Sequence, residues 1–369
     1  MGEPGGAAGA AAGGVTAAGV RADTVGSLLR PPALKAAMAR DAPADELRAA
    51  QDEAVEDAIA LLEGLGFGVV GDGELRRRIW HGPVLEIADG FDPTGFVRTW
   101  TDDAGREVSH TSPVANGPLR RRGSLVDSEA RFVLERAHRP VKVTMPVPSN
   151  FLSYWVDGIS DRAYPDRERF LDELATLMHA QARELAAAGV AYLQLDAPKY
   201  TFLDEPRLFP DQDRRMAQLA AYARADRRVL EGIEGVTTGI HVCRGNYRSM
   251  WESSAPYEEF AEALFAQTRY DRLLLEYDDV RSGGFEALRF VPDATTVVLG
   301  LVTTKRPELE SADDLRRRID EAARYVPYER LALSPQCGFA STWEGNELTA
   351  DDQRRKLELV VSVADAVWG

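Results

Sequence analysis

Eight short apolar runs, separated by stretches with helical periodicity, restrict this sequence to a parallel sheet with helical crossovers. The runs cover residues 20–24, 67–70, 142–145, 192–195, 237–241, 273–276, 295–300 and 331–335. Strands buried on both faces are written as near-continuous aliphatic segments, and KVTM, YLQL, LLLE and TTVVLG have that character. Between them lie amphipathic stretches such as RERFLDELATLMHAQARELAAAG, where Gly189 is the stop signal. Eight such repeats in 369 residues favour a closed (β/α)8 TIM barrel, an α/β fold, over an open doubly wound sheet. No GxGxxG fingerprint follows the first run, which argues against a dinucleotide fold. A polar, charged insertion over about 85–135 interrupts the alternation between the second and third strands. No linker divides the chain, so one barrel domain is expected over 18–369, after a disordered Gly/Ala-rich tail at 1–17.

Composition bounds the partners. A hydrophobic content of 44% is ample for one barrel-sized core. A net charge of -15 repels phosphate backbones and anionic membranes, so neither nucleic acid nor membrane is an expected partner. No apolar run approaches the ~20 residues that span a bilayer. The opening MGEPGGAAGAAAGGVTAAGV lacks the basic start and apolar segment of a secretory signal, so a cytoplasmic location is expected. Nothing in the sequence specifies an oligomeric state.

The chemistry gathers at strand ends, where barrels of this kind place their active sites. The chain has two cysteines, Cys243 and Cys337. In isolation they read as small buried hydrophobes, and their number excludes a disulfide scaffold. Their surroundings suggest more. His241 and Cys243 close the fifth strand as H-x-C, Glu276 closes the sixth, and Cys337 follows the eighth in SPQCGF. The i, i+2 spacing points His241 and Cys243 the same way from an extended segment. Two thiolates, an imidazole and a carboxylate on one rim make a zinc site. The plainer alternative for Glu276 is a strand-end carboxylate paired with Arg281. Zinc removes the proton of a bound thiol, and a Cys-rich set leaves that sulfur nucleophilic. Thiol alkylation is therefore favoured over hydrolysis.

Three more rim residues describe a substrate. Ser27 follows the first strand in TVGS, and its hydroxyl and amide suit a carboxylate; the plainer reading is a turn hydroxyl. Glu74 in GDGE and Asp196 in LQLDAP place two acids on one pocket, which suits the ammonium of an amino-acid thiol. The plainer reading of Asp196 is a helix N-cap. Asp72 is read as structural, and His81, His110, His138 and His179 as surface or supporting residues. Tyr154 and Trp155, after the third strand, either stack on a donor ring or pack the barrel mouth.

The motifs DTVGSLLRP, GDGE, ELAAAGVAYLQLDAP, GIHVCRGNYRS and RLALSPQCGF span nearly the whole chain. In them the chain resembles the catalytic C-terminal barrel of cobalamin-independent methionine synthase, and the stretch CRGNYRSMW resembles the family's short single-barrel members. Uroporphyrinogen decarboxylase, of the same superfamily, lacks the H-x-C and the late cysteine. The resemblance implies zinc on His241, Cys243, Glu276 and Cys337. It also implies homocysteine held through Ser27, Glu74 and Asp196, with methionine as product. Three departures stand out. The second, N-terminal barrel of the classical enzyme has no counterpart here. The family's DEP reads Asp196-Ala197-Pro198. The family's histidine after the seventh strand is replaced by Lys305 in TTKRP, which becomes a candidate proton donor or anion contact. The implied methyl donor is a methylfolate, a methylcorrinoid or another small methyl compound. The alternatives are a related alkyltransferase of the epoxyalkane:coenzyme M type and a metal-free binder or decarboxylase.

Overall fold

The computed structural model describes residues 17–101, 105, 107–204, 211–267 and 269–369. The tail expected at 1–17 lies outside them except for Ala17, which is buried. Among the described residues no helix is long and apolar enough to cross a membrane.

The insertion contains an antiparallel hairpin of β1 (Ala88–Thr101) and β2 (Glu107–Arg121). Six parallel strands follow, each paired with the next: β3 (Lys142–Pro146), β4 (Tyr192–Asp196), β5 (Thr237–Val242), β6 (Arg272–Glu276), β7 (Thr296–Val302) and β8 (Leu331–Pro335). The first two expected strands are reduced to one parallel bridge each, Ala22 with Leu333 of β8 and Val70 with Val141 beside β3. The first is secured by the N–H of Asp23 on the carbonyl of Leu333, and the second by the N–H of Lys142 on the carbonyl of Val70. The two segments meet where the Leu28 N–H donates to the Gly73 carbonyl at 2.9 Å, completing the round of a (β/α)8 barrel. The second segment is short because Gly73, at φ 62, turns the chain away from the sheet.

Alternation along the strands sorts the side chains into two sets. Val143, Met145, Leu193, Leu195, Ile240, Leu273, Leu275, Val297 and Leu299 join the main core together with helix residues such as Leu174, Met178 and Leu357. Each such buried side chain contributes roughly 1.5–3 kcal/mol. Leu274, Val298 and Ala332 belong to a separate small cluster with Val25, a plug on the opposite face of the strands. Below this plug, Asp23 takes Lys142 at 2.7 Å and Arg272 at 3.3 Å, all three buried. Above it, the same inward face of the strands ends in Asp196, His241 and Glu276. The outer helices are stopped and started by local caps. Asp166 accepts from the Arg169 N–H, and Thr349 with Asp352 closes a capping box, each worth about 1 kcal/mol.

Candidate functional site

Asp196 at the end of β4 stands opposite His241 of β5, and Glu276 at the end of β6 stands opposite Gly300 of β7. A Cβ on Gly300 would lie 2.8 Å from the Gln336 Cα, so glycine lets the turn carrying Cys337 pass close to the sheet. His241, Cys243, Glu276 and Cys337 each present one ligand atom, and the four atoms lie within 4.8 Å of one another. The two sulfurs are 3.7 Å apart, and His241 Nε2 is 3.6 Å from a Glu276 oxygen. Arg281 does not pair with Glu276; it takes Asp279 at 2.6 Å and Asp278 at 3.6 Å.

The donors fit a divalent cation. Among the described residues neither carboxylate oxygen of Glu276 nor His241 Nε2 has a hydrogen-bond partner, although both residues are buried. Native interiors rarely leave such atoms unmatched. Burial pushes the Glu276 carboxyl up to about 7 and the His241 imidazole down to about 3. The neighbouring Cys337 sulfur, with burial, drives the Cys243 thiol up. A dication at this point would reverse these penalties, and two sulfurs, one nitrogen and one oxygen suit zinc.

The cluster opens onto a cavity of about 1270 Å³ whose lining includes Ser27, Glu74, Asp196, His241, Cys243 and Cys337. The Ser27 hydroxyl accepts from the Ala340 N–H at 3.2 Å and abuts Gly338, where a Cβ would lie 2.0 Å from it. Glu74 sits at φ 55, an uncommon conformation outside glycine. Its N–H donates to Asp72 at 2.9 Å, and Arg30 donates to its carbonyl at 2.8 Å. One Asp72 oxygen thus holds the Glu74 turn. One Glu74 oxygen accepts from Thr144 at 2.7 Å, and the other has no hydrogen-bond partner among the described residues. Behind Glu74, at 3.5 Å, lies Arg77, which is buried and bonded twice to Glu129 at 2.8 and 2.7 Å. Removing one partner of such a pair costs about 3–5 kcal/mol. Burial first, and then Glu74, push the Asp196 carboxyl up to about 8, and Gln194 donates to it at 2.8 Å.

The remaining expected residues separate. Tyr154 lines the cavity, whereas Trp155 packs on Phe170 and donates to Asp157 at 2.7 Å. Lys305 is not part of the lining. Its ammonium donates to the Gly245 carbonyl at 3.2 Å, Asn246 at 3.3 Å and the Met250 carbonyl at 3.4 Å, holding the loop that follows Cys243. His81, which the sequence gave no reason to choose, lines the cavity with its ring 3.1 Å from the Tyr154 hydroxyl. Thr99 and Thr111 of the hairpin also reach the cavity.

The family model for the cobalamin-independent synthase catalytic domain matches residues 30–366. The chain is 37% identical to the uncharacterized protein YxjG of Bacillus subtilis (strain 168), over 94% of each chain. It is 27% identical to the methionine synthase of Pyrococcus abyssi, over 78% of this chain and 76% of that one. A crystal structure from Listeria monocytogenes, described as a candidate vitamin-B12 independent methionine synthase, superposes with a TM-score of 0.73. It has 26% identity and covers 95% of this chain and 98% of that one. The chain belongs to the cobalamin-independent synthase family, in the part described by its catalytic domain.

Proposed function

We propose that this protein is a cytoplasmic zinc-dependent methyltransferase that methylates the sulfur of homocysteine to give methionine, through one barrel domain over residues 18–369. The convergence of His241, Cys243, Glu276 and Cys337, with the Glu276 oxygens and His241 Nε2 left without a hydrogen-bond partner among the described residues, carries the reading. Zinc on these four residues would supply deprotonation of the substrate thiol near neutral pH.

The chain's own residues do the rest. The two cysteines and one carboxylate give an electron-rich donor set, which suits alkylation of a sulfur better than splitting of water. Glu74 and Asp196, on the same cavity, face the ammonium of the amino acid, and Ser27 takes its carboxylate. A sulfonate thiol such as coenzyme M carries no ammonium, so the two acids disfavour it. Tyr154 and His81 are offered to the methyl donor, a methylfolate, a methylcorrinoid or another small methyl compound. The name carried by the Pyrococcus abyssi relative supports methionine as the product.

The test is direct. Zinc-loaded protein is incubated with homocysteine and each donor class in turn, and methionine is measured by mass spectrometry. The proposal expects methionine with one of the donors and none with Cys243→Ser. Alkylation of another thiol, with none of homocysteine, would contradict it.

A further inference from the structure

Glu276 is held by its backbone. Its N–H donates to the Tyr257 hydroxyl at 2.9 Å, and that hydroxyl donates in turn to the Val242 carbonyl at 2.9 Å. Val242 lies between His241 and Cys243, and Val242 with Leu275 is the last rung of the β5–β6 ladder. One side chain therefore bridges the two strands at the point where they leave the sheet to present their ligands. On the other side of the same residue, the Ser282 hydroxyl donates to the Glu276 carbonyl. Both halves of the Glu276 backbone are thus fixed by hydroxyls from outside the sheet.

The surroundings of the ring repeat the pattern. Tyr257 is fully buried. The Arg244 guanidinium lies 4.4 Å above its ring, and the Tyr277 ring is 5.2 Å away. Arg244 follows Cys243, and Tyr277 follows Glu276. The ring is wedged between the immediate neighbours of two candidate ligands, one just past the end of β5 and one at the end of β6.

We propose that Tyr257 is a positioning residue that sets the distance between the His241–Cys243 pair and Glu276, so that the carboxylate completes the metal site. The inference rests on the metal reading above. Ligand atoms must fall within about 0.2 Å of their ideal distances, and groups that orient ligands are worth about 10–100-fold in metal affinity. Tyr257→Phe keeps the ring and its stacking beneath Arg244, and removes the hydroxyl that makes the bridge.

The experiment is a zinc titration against a competing chelator, with cobalt substitution to report ligand geometry in the visible spectrum. Tyr257→Phe is expected to weaken zinc about 10–100-fold and to shift the cobalt spectrum toward that of Glu276→Gln. In the Glu276→Gln background the same substitution should add little, because the ligand it positions is already lost. Wild-type affinity in Tyr257→Phe, or an undiminished effect in the Glu276→Gln background, would overturn the inference. If Tyr257→Phe does not fold, Ser282→Ala carries the same comparison from the other side of the Glu276 backbone. A wild-type protein that takes up no zinc would overturn the metal reading itself. Zinc binding that is indifferent to both hydroxyls would overturn this inference alone.

Discussion

Asp196 and His241 stand opposite each other in register across β4 and β5. An acid that lines the cavity and a residue of the four-donor cluster are therefore immediate neighbours on adjacent strands. Asp196→Asn should raise the KM for homocysteine about 10–100-fold, the loss of a charge-assisted contact, and barely change that for 4-mercaptobutanoate, which lacks the amino group. Steady-state kinetics with both thiols decides it. Equal effects would remove the reason for assigning an amino-acid substrate.

Cys337 belongs to a turn after β8 and not to the core beneath the helices. Cys337→Ala should lose zinc and activity while the barrel stays folded. Circular dichroism with metal analysis checks this, and a large fall in melting temperature with zinc retained would contradict it.

Asp226 ties two rim segments together. Its carboxylate accepts from the Ser149 N–H at 2.9 Å and hydroxyl at 2.7 Å, and from the Tyr200 hydroxyl at 2.8 Å. Burial outweighs these donors and pushes the carboxyl up from 3.8 to about 7. A raised acid means that the native state holds a proton that the unfolded chain has released. Its stabilising contribution is complete below about pH 4 and is lost as pH rises through about 7. Melting curves from pH 4 to 7 should show the wild type losing stability relative to Asp226→Asn. A gap that stays constant across that range would contradict the assignment.

His81 and Tyr154 line the cavity as a hydrogen-bonded pair. His81→Ala should raise the KM for the methyl donor several-fold and leave zinc content and homocysteine binding unchanged. Loss of zinc in this variant would show that His81 supports the metal cluster instead.

The candidate site was largely legible because its residues terminate strands. Once the eight apolar runs are aligned, His241, Glu276, Asp196 and Cys337 fall on one rim from spacing alone. Loop residues were not legible, since neighbours in space are not neighbours in sequence. Nothing near WHG announces that His81 meets Tyr154, and nothing near APYEEF announces that Tyr257 bridges β5 and β6. The hairpin left a weaker trace, the alternation in FVRTWT and EVSHTS, which intervening Gly and Pro obscure. Lys305 lies in the loop after β7, as its place in TTKRP implies, but its use depends on the carbonyls of Gly245 and Met250, which only the folded chain brings near. The charged trio of Asp23, Lys142 and Arg272 comes from three separate strand segments and has no sequence pattern at all.

The most direct test of thiol activation is elemental analysis of the purified protein, followed by X-ray absorption at the zinc edge with and without homocysteine. The account predicts one zinc per chain and one additional sulfur neighbour when homocysteine is added. Absence of zinc, or zinc whose sulfur neighbours do not change, would contradict it.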